Sequence, residues 1–136
     1  VDYRVIDSLD KNQIEELTLL FKNEWWTQKR KAADIEQMLQ NSNVVIGLID
    51  ASTDKLVGFA RAITDTIYRA FIFDVIAHSE HRELGIGKIL MDHLLNHPLI
   101  KNVERVELYC PDRLTSYYEK FGFTTDVNGS NLMRRA

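Results

Sequence analysis

The stretch FIFDVIAHSEHRELGIGKILMDHLL, residues 71–95, constrains the fold more than any other part of the chain. A run of β-forming residues passes through a polar bend into two glycines. The glycines then open a segment with Ile86, Ile89, Leu90 and Leu94 at helical spacing. That order predicts a strand, a tight turn and an amphipathic helix. Gly85 and Gly87 let the backbone approach a ligand with no Cβ in the way, and the first turn of a helix leaves amides without intrahelical partners. Those amides lie at the positive end of the helix dipole, so the turn suits an anion such as a phosphate. Arg82 and Lys88 add formal positive charge at either end. The plainer reading is a tight connection that binds nothing.

Two familiar phosphate loops are excluded by spacing. There is no G-x-x-x-x-G-K-[ST], and G-x-G-x-x-G fails because Leu90 stands at the third glycine. What remains is R-x-x-G-x-G, read as Arg82, Gly85 and Gly87.

The chain has 136 residues, 45% of them hydrophobic, which fits one domain over residues 1–136 built on one core. A net charge of −3 argues against nucleic acid as a partner. No apolar run approaches the roughly 20 residues that span a bilayer, so a soluble, cytoplasmic protein with no membrane partner is expected. A homodimer is compatible with this reading. Cys110 is the single cysteine, which rules out an internal disulfide, and it reads first as a small packed residue. His93 and His97 share a helical face but lack a third ligand, while His78 and His81 lie outside any metal spacing; no metal is expected.

Along the chain, YRVID (3–7) reads as a strand, and NQIEELTLLFKN (12–23) as a helix with Ile14, Leu17, Leu20 and Phe21 inward. A second helix is expected over 31–40. In the intervening EWWTQKR, two adjacent tryptophans cannot share one helix face, so one should face a cleft or the far side of a loop. NVVIGLID and KLVGFARAIT around STDK predict an antiparallel hairpin, AFIFDVIA another strand, then a helix over 86–97 limited by Pro98. VERVELYC is the next strand and PDRLTSYYEKFG a short helix. FTTDV and NLMRR supply the last strand signals. The expected architecture is α/β: a mixed central sheet of six or seven strands flanked by about four helices.

This order, with the Arg82-x-x-Gly85-x-Gly87 turn and LYCPDRLTSYYEKFGF, resembles the GNAT superfamily of acyl-CoA-dependent N-acetyltransferases over nearly all of the chain. The pattern is similar to small-molecule members, including plastid and cyanobacterial arylalkylamine acetyltransferases. The resemblance implies acetyl-CoA as co-substrate. Val75, Ile76 and Ala77 would offer backbone groups to the pantetheine arm, and Arg82, Glu83, Leu84, Gly85, Ile86, Gly87 and Lys88 would hold the pyrophosphate. Glu83 stands where the family often has glycine. It implies Tyr118 as the acid that protonates the departing thiolate; packing is the plainer reading of Tyr118, and more so of Tyr117.

The acceptor amine is cationic until a base deprotonates it. Asp74, in an apolar strand beside the implied acyl site, is the leading candidate, with His78 second. An Asp between Phe73 and Val75 is costly to bury unless paired, and a hydrogen bond to backbone or to a basic residue such as Arg61 would also account for it. Trp25, Trp26 and Arg61, with Glu24, Asp65 and Tyr68, are the candidate acceptor contacts, since aromatic faces and carboxylates attract ammonium groups. The expected activity is transfer of an acetyl group to a primary amine of a small molecule, by direct attack in a ternary complex. The competing reading is a non-catalytic CoA-binding sensor or interaction module of the same fold.

Overall fold

The first helix shows how local chemistry sets the element boundaries. In the computed structural model, which describes residues 2–136, α1 spans Lys11–Lys22. Asp10 caps it reciprocally: its carboxylate accepts from the Gln13 amide and its own amide donates to Gln13 Oε1, each at 2.9 Å. Leu17, Leu20 and Phe21 form its buried face. α2 (Ala32–Gln40) buries Ile35 beside it.

Five strands follow the order β1-β2-β3-β4-β5: Tyr3–Ile6, Val44–Asp50, Lys55–Thr64, Arg69–Ala77 and Arg105–Glu107. All neighbours are antiparallel except β4 and β5, which run parallel. α3 (Ile86–Leu95) crosses from β4 towards β5, and α4 (Thr115–Glu119) follows β5. Two 3₁₀ turns, Ser79–Leu84 and Asp112–Leu114, precede α3 and α4.

The sheet separates two apolar clusters. One joins Leu48, Ala60, Ala62, Ile72, Ile86, Leu90, Leu94 and Tyr118 on the α3 side; the other joins Leu17, Phe21, Ile35, Ile49, Phe59 and Ile76 on the side of α1 and α2. β4 feeds both because of a bulge. Phe59 pairs with Ile76 and Arg61 with Phe73, so β4 holds one residue more than β3 between these pairs. Ala70 and Ile72 point to the α3 cluster before the bulge, and Val75 and Ala77 do so after it, leaving Ile76 on the opposite side.

The expected sheet was larger. Among the described residues there are five strands rather than six or seven, and the four α-helices are joined by the two 3₁₀ turns. The FTTDV and NLMRR segments form no strand and are mostly exposed. β5 is three residues, far shorter than VERVELYC suggested, and α3 ends at Leu95 with Asn96 as its cap.

Candidate active site

Parallel pairing of β4 with β5 stops early. Arg69, Ala70 and Phe71 pair with Arg105, Val106 and Glu107, after which β4 continues to Ala77 with partners on its β3 edge alone. The second half of β4 therefore has an unpaired edge, and Val75, Ile76 and Ala77 lie on it. Ile76 is buried, while Val75 and Ala77 are half-buried. Their backbone groups on that edge have no strand partner among the described residues and are free to pair with a ligand arm in the cleft.

At the head of that cleft sits the glycine turn. Gly85 takes φ +78°, a left-handed conformation that ends the 3₁₀ turn and caps α3, and a Cβ added there would meet nothing within 4 Å. The first intrahelical bond runs from the Ile89 amide to the Gly85 carbonyl at 3.2 Å, so the amides of Ile86, Gly87 and Lys88 precede the ladder. Open space, orphan amides and the helix dipole make this end fit a pyrophosphate. Ile86 itself is fully buried, so its contribution there is the amide alone; Glu83 and Leu84 are exposed.

Gly87 has a different requirement. A Cβ there would overlap the Tyr117 hydroxyl, because Tyr117 on α4 lies directly against α3 at this point. A side chain at this position would have to displace the Tyr117 ring whether or not an anion binds.

Both cations of the turn are already engaged. Lys88 Nζ donates to Asp92 at 2.6 Å. Arg82 donates to Glu24, from the loop between α1 and α2, and through Nε to the Ala77 carbonyl at 3.3 Å. From the other side, His81 Nδ1 is 2.9 Å from the Tyr3 hydroxyl and its Nε2 is 3.8 Å from Asp50, which ties the turn to β1 and β2. Ser52 and then His81 hold the Asp50 carboxyl below its ordinary range. His78 begins the 3₁₀ turn, its ring accepting from the Glu80 amide.

Asp74 occupies the bulge with φ +57°, in the left-handed region that Asp tolerates better than most residues. Its carboxylate is nearly enclosed and accepts three charged hydrogen bonds: from Arg30 at 2.8 and 3.1 Å and from Arg61 Nε at 2.7 Å. The Arg30 guanidinium also lies 4.7 Å above the Phe21 ring and that of Arg61 4.8 Å above Phe73. The pairing with Arg61 was legible in the sequence; the one with Arg30 was not.

Tyr118 on α4 belongs to the α3-side apolar cluster, 9% exposed, with Phe123 and Tyr117 edge-on to its ring. Burial, then the neighbouring Tyr117 and Cys110, pushes its phenol up to about 12. Burial beside Asp112 likewise raises the Cys110 thiol, which disfavours the thiolate that a covalent acyl carrier would need. Both tryptophans are outside the core: Trp25 is 80% and Trp26 44% exposed, where packing of one had been a plain alternative. Thr27 anchors their loop, its hydroxyl donating to the Phe21 carbonyl at 2.7 Å. Asp65 and Tyr68 lie in the exposed β3–β4 turn.

A mixed sheet that parts beside a glycine-capped helix is a frame that acyl-CoA-dependent transferases use. The model of the acetyltransferase (GNAT) family matches residues 11–123. The chain belongs to that family and is by class an acetyl-CoA-dependent N-acetyltransferase. It is 34% identical over 125 residues to the uncharacterized N-acetyltransferase ycf52 of Pyropia yezoensis, covering 90% of this chain and 71% of that protein. It is 29% identical over 100 residues to the chloroplastic serotonin N-acetyltransferase 2 of Oryza sativa subsp. japonica, covering 72% of this chain and half of that protein. A Glycine max relative named histone acetyltransferase TAP1 is 26% identical over 110 residues, covering 74% of this chain and 48% of the relative. Among solved structures, a GNAT-family chain from Xanthomonas campestris pv. campestris superposes with a TM-score of 0.83 at 27% identity, covering 100% of this chain and 94% of that one.

No helix among the described residues is long and apolar enough to cross a membrane, and no group of three metal-ligating side chains was found among them.

Proposed function

We propose that residues 1–136 act as one domain that transfers an acetyl group from acetyl-CoA to the primary amine of a small molecule, by direct attack within a ternary complex. The observation that supports this best is the combination of an unpaired β4 edge, the open Gly85 turn and the buried Tyr118, which belongs to the apolar cluster that Val75 and Ala77 pack against. Val75, Ile76 and Ala77 offer backbone to the pantetheine arm, and the turn from Arg82 to Lys88 holds the pyrophosphate. Acetyl-CoA brings the activated thioester; the protein binds, orients and supplies a proton.

Tyr118 is the proton donor of this reading. With its phenol near 12 and an ordinary thiol near ~8.5, complete transfer to a thiolate is uphill by roughly 5 kcal/mol. The phenol therefore works first as a fixed hydrogen-bond donor to sulfur while charge develops; the proton it gives to the thiolate is replaced by the one the amine nitrogen releases through water, which restores the neutral phenol.

Asp74 was the first candidate for the base. Its carboxylate already accepts three charged hydrogen bonds from Arg30 and Arg61, two of them on one oxygen, and this favours a water or the amine's own solvent contact as the proton acceptor, with Asp74 holding the cleft in shape. Trp25, Trp26 and Arg61 remain the acceptor-side candidates. Exposed indole faces support a small, partly aromatic amine over a lysine in an extended peptide. The serotonin-acetylating relative agrees with that choice, the histone-acetylating one opposes it.

Thiol release from acetyl-CoA, measured across arylalkylamines, polyamines, amino acids and lysine peptides, tests the reading. Turnover highest with a small arylalkylamine is expected. Saturable acetyl-CoA binding with no turnover on any amine would favour the CoA-binding sensor instead.

A further inference from the structure

The loop between α1 and α2 is tied to the cofactor cleft at both ends, by residues 44 and 58 positions away in the chain. At one end Arg30 grips the bulge carboxylate of Asp74; at the other Glu24 holds Arg82 of the pyrophosphate turn. Between them stand Trp25 and Trp26, the only tryptophans in the protein. The two ties differ in kind. Asp74 is enclosed, its side chain 5% exposed, and shares its charge with two guanidinium groups, so that end is a fixed anchor. Arg82 is half-exposed and sits where an incoming pyrophosphate would want its donors.

We propose that Glu24 and Arg30 are positioning residues that couple cofactor binding to the acceptor side, because Arg82 serves either Glu24 or the pyrophosphate. A pyrophosphate carries more charge than one carboxylate and also collects the α3 amides, so it wins the guanidinium. Glu24 is then released beside two indole faces, where its carboxylate can receive an ammonium group while Arg30 keeps the loop seated on the bulge. The Arg82 contact to the Ala77 carbonyl breaks in the same movement, which frees backbone for the pantetheine arm. The inference rests on the acetyltransferase reading and adds a direction to it: acetyl-CoA prepares the amine site.

Because both tryptophans lie in this loop, their fluorescence reports its state without turnover. Acrylamide quenching is measured on the wild type alone, with saturating acetyl-CoA, and with S-acetylpantetheine, which lacks the pyrophosphate. The expected result is a change with acetyl-CoA only. Glu24→Gln should show the altered quenching before ligand is added and no further response, with an unchanged melting temperature. Arg30→Met should raise quenching in every state, and Arg30→Lys, which keeps the charge but loses the planar fork, should recover little of it. In steady state Glu24→Gln should raise the amine KM by about 5- to 150-fold, the usual range of a coupling, with kcat nearly preserved. Calorimetry that shows acetyl-CoA bound, with quenching unchanged and Glu24→Gln indistinguishable from wild type, would overturn the coupling and leave the acetyltransferase reading standing. Absence of acetyl-CoA binding would overturn both.

Discussion

Tyr118 and Gly87 show how one side chain can answer to two demands. The Tyr118 phenol is raised from the ordinary 10.0 to about 12 by burial, so its neutral form is the one the fold prefers. That preference stabilises the protein fully below pH 10 and is lost as pH rises through about 12. Tyr118→Phe is expected to remove this alkaline limb from a plot of melting temperature against pH. It should also lower turnover by roughly 10²- to 10⁴-fold at unchanged acetyl-CoA affinity, the effect of losing a positioned acid. Near-normal turnover in saturating acetyl-CoA would assign the proton to another group. For Gly87, the collision with Tyr117 predicts that Gly87→Ala costs about 1–3 kcal/mol through overpacking alone. Tyr117→Phe in the same chain should recover much of that loss; denaturant midpoints for the two single variants and the double variant measure the coupling. Gly85 carries no such neighbour, so its substitution tests the turn itself. From the sequence both glycines looked equivalent, since the Tyr117 contact spans 30 residues and leaves no mark in local spacing.

Asp74 governs an element. Its left-handed backbone makes the bulge, the bulge turns β4 so that both clusters share it, and the two arginines make its charge tolerable inside. Asp74→Asn can keep the left-handed conformation but strands both guanidinium groups, at a cost of about 3 kcal/mol. Asp74→Val should cost a further 1–3 kcal/mol, approximately, because a β-branched residue resists that φ. Equal stability of the two variants by urea denaturation would mean that the ion pairs, and not the backbone, define the bulge. The presence of an Asp in an apolar strand announced a partner, and Arg61, opposite on β3, was within reach of sequence reasoning. Arg30 was not, because the α1–α2 loop reaches β4 only in the folded chain. Strong periodicity placed α1, α2, β2, β3, β4 and α3 to within a few residues. The later segments were over-read: VERVELYC has strand propensity along its length, yet β5 pairs only through Arg105, Val106 and Glu107 before the cleft opens. FTTDV and NLMRR have β-forming residues but no ladder to join among the described residues.

At the scale of the molecule, two halves of a sheet part at β4 and β5; the α1–α2 loop is tied to β4 and to the turn before α3, and Tyr118 from α4 shares an apolar cluster with Val75 and Ala77 of the open β4 edge. In the proposed reading both substrates are present together; the rise of the Cys110 thiol, the one thiol, away from its reactive form agrees with that. The most direct test of direct transfer is a matrix of initial rates in which acetyl-CoA and the best amine are varied together, with the N-acetyl product counted against released thiol. Intersecting double-reciprocal lines and one thiol per N-acetyl product are predicted. Parallel lines, or thiol released without acetylated amine, would contradict the account.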